Sequence, residues 1–230
     1  MSTKYYIGWD VGGWNCDNNS ASRDAVVILN DHIEVVGKWR GNIRKWINEA
    51  DSYQSFLSTV FAECGAVYQD EEVIIAIDTP LGYSHEFVKL LTEYKNINEV
   101  ASFRDNKYLF RETERFLSEK KYKPLSTVND MIGSQSTKGI HFISKFARKI
   151  ESLGVWRSDN ELMTVIETYP SANEIVVPKL LSTEHNDVKD AYKCAVIAQV
   201  FDNENERLYQ PLNDIWEREG WIWVLDKDYM

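Results

Sequence analysis

The chain lacks most of the features that assign a protein quickly. No run of eighteen apolar residues occurs in its 230 residues, which argues against a membrane-spanning helix. Met1 to Tyr6 carries neither the apolar stretch nor the small-residue cleavage site of a secretory signal, so a cytoplasmic protein with no membrane partner is expected. Cysteine is scarce: Cys16, Cys64 and Cys194 are odd in number and far apart, with no C-x-x-C pair and no histidine at zinc-ligand spacing. They read as packed free thiols. The four histidines, His32, His85, His141 and His185, show no ligand spacing either; His185, two residues before Asp187, is a candidate proton relay. Neither G-x-x-x-x-G-K-S/T nor G-x-G-x-x-G is present, which removes the commonest phosphate-cradling loops.

What is present is an ordinary globular composition, 43% hydrophobic and 27% charged, enough for one sizeable core. A single domain spanning 1–230 is expected. The formal net charge of -10 disfavours non-specific nucleic-acid binding, but it is unevenly spread. Between Phe103 and Lys149 eleven Lys and Arg face five acids, so this segment is +6 and the remainder -16. That segment reads either as a solvated helical face or as a surface for anions, phosphates included. Lys120, Lys121 and Lys123 read as a solvated helix end, and the eight tryptophans as core or rim packing.

Three β-rich runs open the chain. Tyr5 to Asp10 stops at Gly12-Gly13, and Asp24 to Leu29 and Ile33 to Trp39 flank the turn residues Asn30-Asp31. Tyr53, Phe56, Leu57, Val60, Phe61 and Cys64 follow helical spacing behind Ser52 as N-cap. Glu72 to Asp78 is a continuous apolar run closed by Thr79-Pro80, the pattern of a strand covered on both faces and so parallel to a neighbour. Residues of about 83–157 carry helical periodicity and almost no strand signal, which predicts a helical insertion. Leu162 to Thr168 returns to a strand, Ala191 to Phe201 is an apolar helix behind Asp187 and Asp190, and Gly220 to Leu225 contains a last short strand. The class is α/β: a mixed sheet of an antiparallel three-strand meander plus parallel strands, flanked by helices.

Acids mark the strand ends, where ligands bind in open α/β sheets. Asp10 ends the first strand, Asp78 the fourth and Glu167 the later one, each also readable as a turn residue. Asp187 and Asp190 are three apart at a helix start, on nearly one face, with capping as the plainer reading. Carboxylates crowded at one edge repel, so the cluster needs protonation or a cation. Hard oxygen donors without His or Cys favour Mg2+ or Mn2+. Two such ions about 4 Å apart would support in-line phosphodiester cleavage. In this reading Asp10, Asp78 and Asp190 are metal ligands, and Asp187 and Glu167 candidates for a further ligand or general base. Arg111 and Arg115, four apart on one helical face, are placed to clamp phosphate or else to pair with neighbouring acids.

Six pieces in order carry a family resemblance: Ile7-Gly8-Trp9-Asp10-Val11-Gly12-Gly13-Trp14, Ala76-Ile77-Asp78-Thr79-Pro80-Leu81-Gly82, Phe110-Arg111-Glu112-Thr113-Glu114-Arg115, Ile166-Glu167-Thr168-Tyr169-Pro170, Asp187-Val188-Lys189-Asp190-Ala191 and Glu219-Gly220-Trp221-Ile222-Trp223. Together they resemble the predicted nuclease family called domain of unknown function 429 (DUF429), distantly similar to the Holliday-junction resolvase RuvC. The resemblance implies a ribonuclease H-like fold, metal-dependent phosphodiester hydrolysis and a nucleic-acid or other phosphodiester partner. It implies the first-strand acid at Asp10, the fourth-strand acid at Asp78 and the last-helix acids at Asp187 and Asp190. Of the family's longer arginine motif this chain keeps Arg111 and Arg115. Two other readings stand beside it: a non-catalytic binding protein on the same fold, and an ATP-binding protein related to actin and sugar kinases, whose first loop also reads Asp-x-Gly, as Asp10-Val11-Gly12 does.

Overall fold

A computed structural model describes residues 4–100, 102–149, 154–211 and 213–227. The chain opens with β1 (Lys4–Asp10), β2 (Asp24–Asn30) and β3 (Val35–Gly41), followed by α1 (Arg44–Glu49), α2 (Tyr53–Glu63) and β4 (Glu72–Asp78). The insertion contributes α3 (His85–Glu93), α4 (Glu112–Glu119) and α5 (Gly133–Phe146). Then come β5 (Arg148–Lys149), β6 (Trp156–Arg157), β7 (Met163–Thr168), α6 (Asn186–Asn203), α7 (Trp216–Glu219) and β8 (Ile222–Trp223).

The sheet order is β3-β2-β1-β4-β7-β6-β5, with β8 beside the end of β7. β1 pairs antiparallel with β2 and parallel with β4, and β7 lies parallel to β4 on its other side. This is the mixed α/β sheet expected, an antiparallel meander whose first strand pairs in parallel with the fourth. β4 is central and covered on both faces, which is why its apolar run is unbroken.

Side-chain alternation divides the core into two layers. Tyr6, Ile74, Ala76 and Ile166 face α6, packing with Ala191, Ala195 and Ala198. Ile7, Trp9, Ile75, Ile77 and Val165 face the opposite way, onto Phe56, Leu57 and Phe61 of α2 and Phe142 and Phe146 of α5. Each fully buried large apolar side chain stabilises the fold by about 1.5–3 kcal/mol. α6 lies unusually close to β1: a Cβ on Gly8 would stand 1.8 Å from the Ala191 carbonyl oxygen. The three cysteines are buried and free, as expected.

Three local expectations are corrected. The second hairpin turn runs to Glu34, because the Asn30 side chain accepts from the His32 and Glu34 amides and Ile33 takes a positive φ of 61°, so β3 starts at Val35 rather than Ile33. The helix carrying Asp187 and Asp190 in its first turns begins at Asn186, and its cap is the His185 ring rather than either acid. The insertion ends in the short strands β5 and β6, which extend the sheet beyond β7. Among the described residues no helix is long and apolar enough to cross a membrane.

Candidate functional site

Asp10 and Asp78 are direct partners in the parallel register of β1 and β4, placing their Cα atoms on strands about 4.8 Å apart. By alternation both project to the α6 side, two residues beyond Gly8 and Ala76. Both are half-buried, and neither carboxyl forms a hydrogen bond or ion pair among the described residues. They sit in a cleft of about 300 Å³ whose wall includes Thr79, Gln135, Tyr169 and Ser171. The Thr79 hydroxyl, buried beside them, also lacks a protein partner.

Electrostatics reflect this crowding. Burial holds the Asp10 carboxyl well above its ordinary range, reinforced by Asp78, Asp187, Asp190 and Asp24. The Asp78 carboxyl is pushed up to about 8, by burial first and then by Asp190 and Glu167, with Lys193 opposing. Two neighbouring carboxyls held this high keep a proton near neutral pH unless a cation replaces it.

The remaining acids differ. Asp190 reaches the pair from α6; its Oδ1 pairs with Lys193 at 2.7 Å. Asp187 is fully engaged: its Oδ2 accepts from Arg40 Nε at 2.9 Å and from the Arg23 amide at 3.0 Å, and its Oδ1 lies 3.0 Å from His185 Nδ1. Arg40 Nη2 lies 3.5 Å from His185 Nε2, and the His185 ring caps α6. Glu167 pairs in register with Ile77, one residue short of Asp78, so alternation turns it to the other face. There its oxygens accept from Arg111 at 2.6 and 2.9 Å and from the Leu81 amide at 2.8 Å. Glu167 also borders the cleft of Asp10 and Asp78, but these bonds engage both of its oxygens.

The arginine pair is engaged likewise. Arg111 is only 2% exposed and its guanidinium is saturated by Glu114, Glu167 and the Glu219 carbonyl, leaving no donor for phosphate. Arg115 pairs with Glu112 and the Phe110 carbonyl. Arg111 ties the insertion to β7 through Glu167, whereas the Arg115 contacts stay within the insertion.

One constellation escaped sequence reasoning. Lys138 and Asp24, both fully buried, pair at 2.5 Å. Asp24 also accepts from Trp9 Nε1, the Gly12 amide and the Ile43 amide, while Lys138 donates to the Gly12 and Gly13 carbonyls. Together they pin the loop leaving Asp10. The signal was a lysine on the apolar stripe of α5, four residues before Phe142; Asp24 at a strand start gave none.

Among the described residues no group of three or more His, Cys, Asp or Glu side chains is arranged to hold a metal ion. The donor set is nonetheless chemically apt for Mg2+ or Mn2+. Such ions are commonly held by one or two carboxylates, with water and substrate phosphate completing the shell. Comparison with protein-family models, with curated proteins and with solved structures finds no match to this chain.

Proposed function

We propose that the chain is a divalent-metal-dependent phosphodiesterase of the nuclease type, working in the cleft at the ends of β1 and β4. The observation that carries the reading is the in-register pair Asp10 and Asp78, two neighbouring carboxyls on one face with no basic partner among the described residues. Buried acids in natural proteins are normally neutralised by a hydrogen-bonded cation, and Asp24, Glu114, Glu167 and Asp187 here all are. Glu219, also buried, accepts from the His85 and Glu112 amides, whereas the Asp10 and Asp78 carboxyls have neither a cation nor an amide donor among the described residues.

In this reading Asp10 and Asp78 hold Mg2+ or Mn2+, and Asp190 contributes its free second oxygen. The bound ion would supply Lewis acidity toward a phosphate oxygen and activation of a water for in-line attack. Asp10 and Asp78 orient the reacting phosphate by fixing that charge. The Asp24–Lys138 pair keeps the loop after Asp10 in place. Asp187, Glu167, Arg111 and Arg115 act as supports and touch no substrate. The resemblance to the DUF429 and RuvC group belongs with this reading.

The lack of a three-ligand cluster favours one rival, a cleft that binds a ligand without catalysis. Incubation of the purified protein with single-stranded, branched and hybrid nucleic acids in Mn2+ separates the two. Cleavage that falls to background in Asp10→Asn and Asp78→Asn is expected; cleavage that survives both substitutions refutes the assignment.

A further inference from the structure

Beside the acid cleft lies a second, larger groove of about 550 Å³ on the insertion. The two share Pro124 and Leu125 as a common wall, and the Tyr169 hydroxyl, from the acid cleft, donates to the Lys123 carbonyl at 2.9 Å. The groove carries three exposed cations, Arg104, Lys121 and Lys123, whose side chains make no hydrogen bond or ion pair among the described residues. This contrasts with Arg111, Arg115 and Lys138 of the same segment, all spent on internal partners. The one acid lining the groove among the described residues, Asp130, is held by the Ser126 amide and the Asn129 side chain. Phe103 stands edge-on to Phe110 at 5.4 Å yet is 62% exposed, so a ring face is open to solvent.

Unpaired cations alternating with an open aromatic face match one ligand chemistry, a single-stranded polynucleotide, with phosphates on the cations and a base on the ring. We propose that this groove binds the single strand flanking the bond presented to Asp10 and Asp78: Arg104, Lys121 and Lys123 hold its phosphates and Phe103 stacks a base. The inference rests on the phosphodiesterase reading of the adjoining cleft and adds to it the form of the substrate. It also resolves the charge: a chain of net -10 binds a polyanion through a local basic strip, away from its acidic remainder.

The test is fluorescence anisotropy of short mixed-sequence single-stranded DNA and RNA, labelled at one end, titrated with the full chain in EDTA so that nothing is cut. Binding is expected to weaken tenfold or more in the combined Arg104→Gln, Lys121→Gln, Lys123→Gln variant, with the salt slope reduced by about two. Phe103→Ala is expected to weaken it roughly fivefold to a hundredfold for every base. All four side chains are exposed, so the variants retain the fold, and unchanged thermal melting checks it. No binding by the parent, undiminished binding by the triple variant, or equal displacement by polyglutamate would overturn the proposal. Asp10→Asn, which keeps the groove, should bind the strand at least as tightly as the parent while losing cleavage. A strand held by the groove but never cut counts against the cleft reading alone. Cutting with unaltered affinity in the triple variant counts against the groove alone.

Discussion

Lys138 occupies a position on α5 where the stripe of Phe142 and Phe146 would seat a hydrophobic side chain, and its ammonium instead lies fully buried against Asp24. Removing one member of a buried ion pair leaves the other uncompensated, at a cost of about 3–5 kcal/mol. Lys138→Met is therefore expected to lower unfolding free energy by that order in denaturant titration; a loss under about 1 kcal/mol would show that Asp24 is held by its amide donors alone. Asp78 gives a pH signature. With its carboxyl raised to about 8, the folded protein keeps a proton that the unfolded chain releases at about 3.9. The stability tied to this site is thus fully present below the unfolded value and lost as pH rises toward 8. In metal-free buffer Asp78→Asn should melt higher than the parent at pH 8, by about 2–4 °C for each kcal/mol relieved, and equally at pH 4. A difference independent of pH would contradict the assignment. The crowding that raises Asp78 was legible from the acids at the strand ends, whereas the Lys138–Asp24 pair was not, because the burial of a polar side chain depends on partners from distant segments.

At the level of elements, the strands and α2 were legible because each carries one period over its whole length. β4 reads as apolar throughout, and α2 follows a spacing of three and four with a capping box at Ser52. The two-residue strands β5 and β6 and the six-residue α1 are too short for a period to register. The parallel pairing of β1 with β4 put Asp10 beside Asp78 as expected, whereas a single step of register separates Glu167 from that face. Strand ends alone could not reveal this step, since every strand end offers both parities. The contact of α6 with β1 sets the depth of the cleft through Gly8. Gly8→Ala places a methyl group 1.8 Å from the Ala191 oxygen and 2.4 Å from the Ala195 nitrogen, which only backbone movement can relieve. A loss of about 1–3 kcal/mol or more is expected, together with weaker Mn2+ binding as Asp190 is displaced. Unchanged stability would mean that α6 is not seated as closely as described.

For the whole molecule, the arrangement separates two jobs. The buried pairs Arg111–Glu167 and Lys138–Asp24 fasten the insertion to the sheet on the face opposite α6 and along the loop after β1. The α6 side keeps its acids toward the cleft, and the insertion turns its free cations to the adjoining groove. The charge asymmetry visible in the sequence survives only in part, because several of the basic residues counted there are neutralised inside the protein. The most direct measurement is calorimetric titration of the metal-free protein with Mn2+ at neutral pH. Saturable binding accompanied by proton release is expected, since the cation replaces protons that burial and crowding hold on these carboxyls, and it should vanish in Asp10→Asn and in Asp78→Asn. No binding by the parent, or binding of equal strength in either variant, would contradict the account.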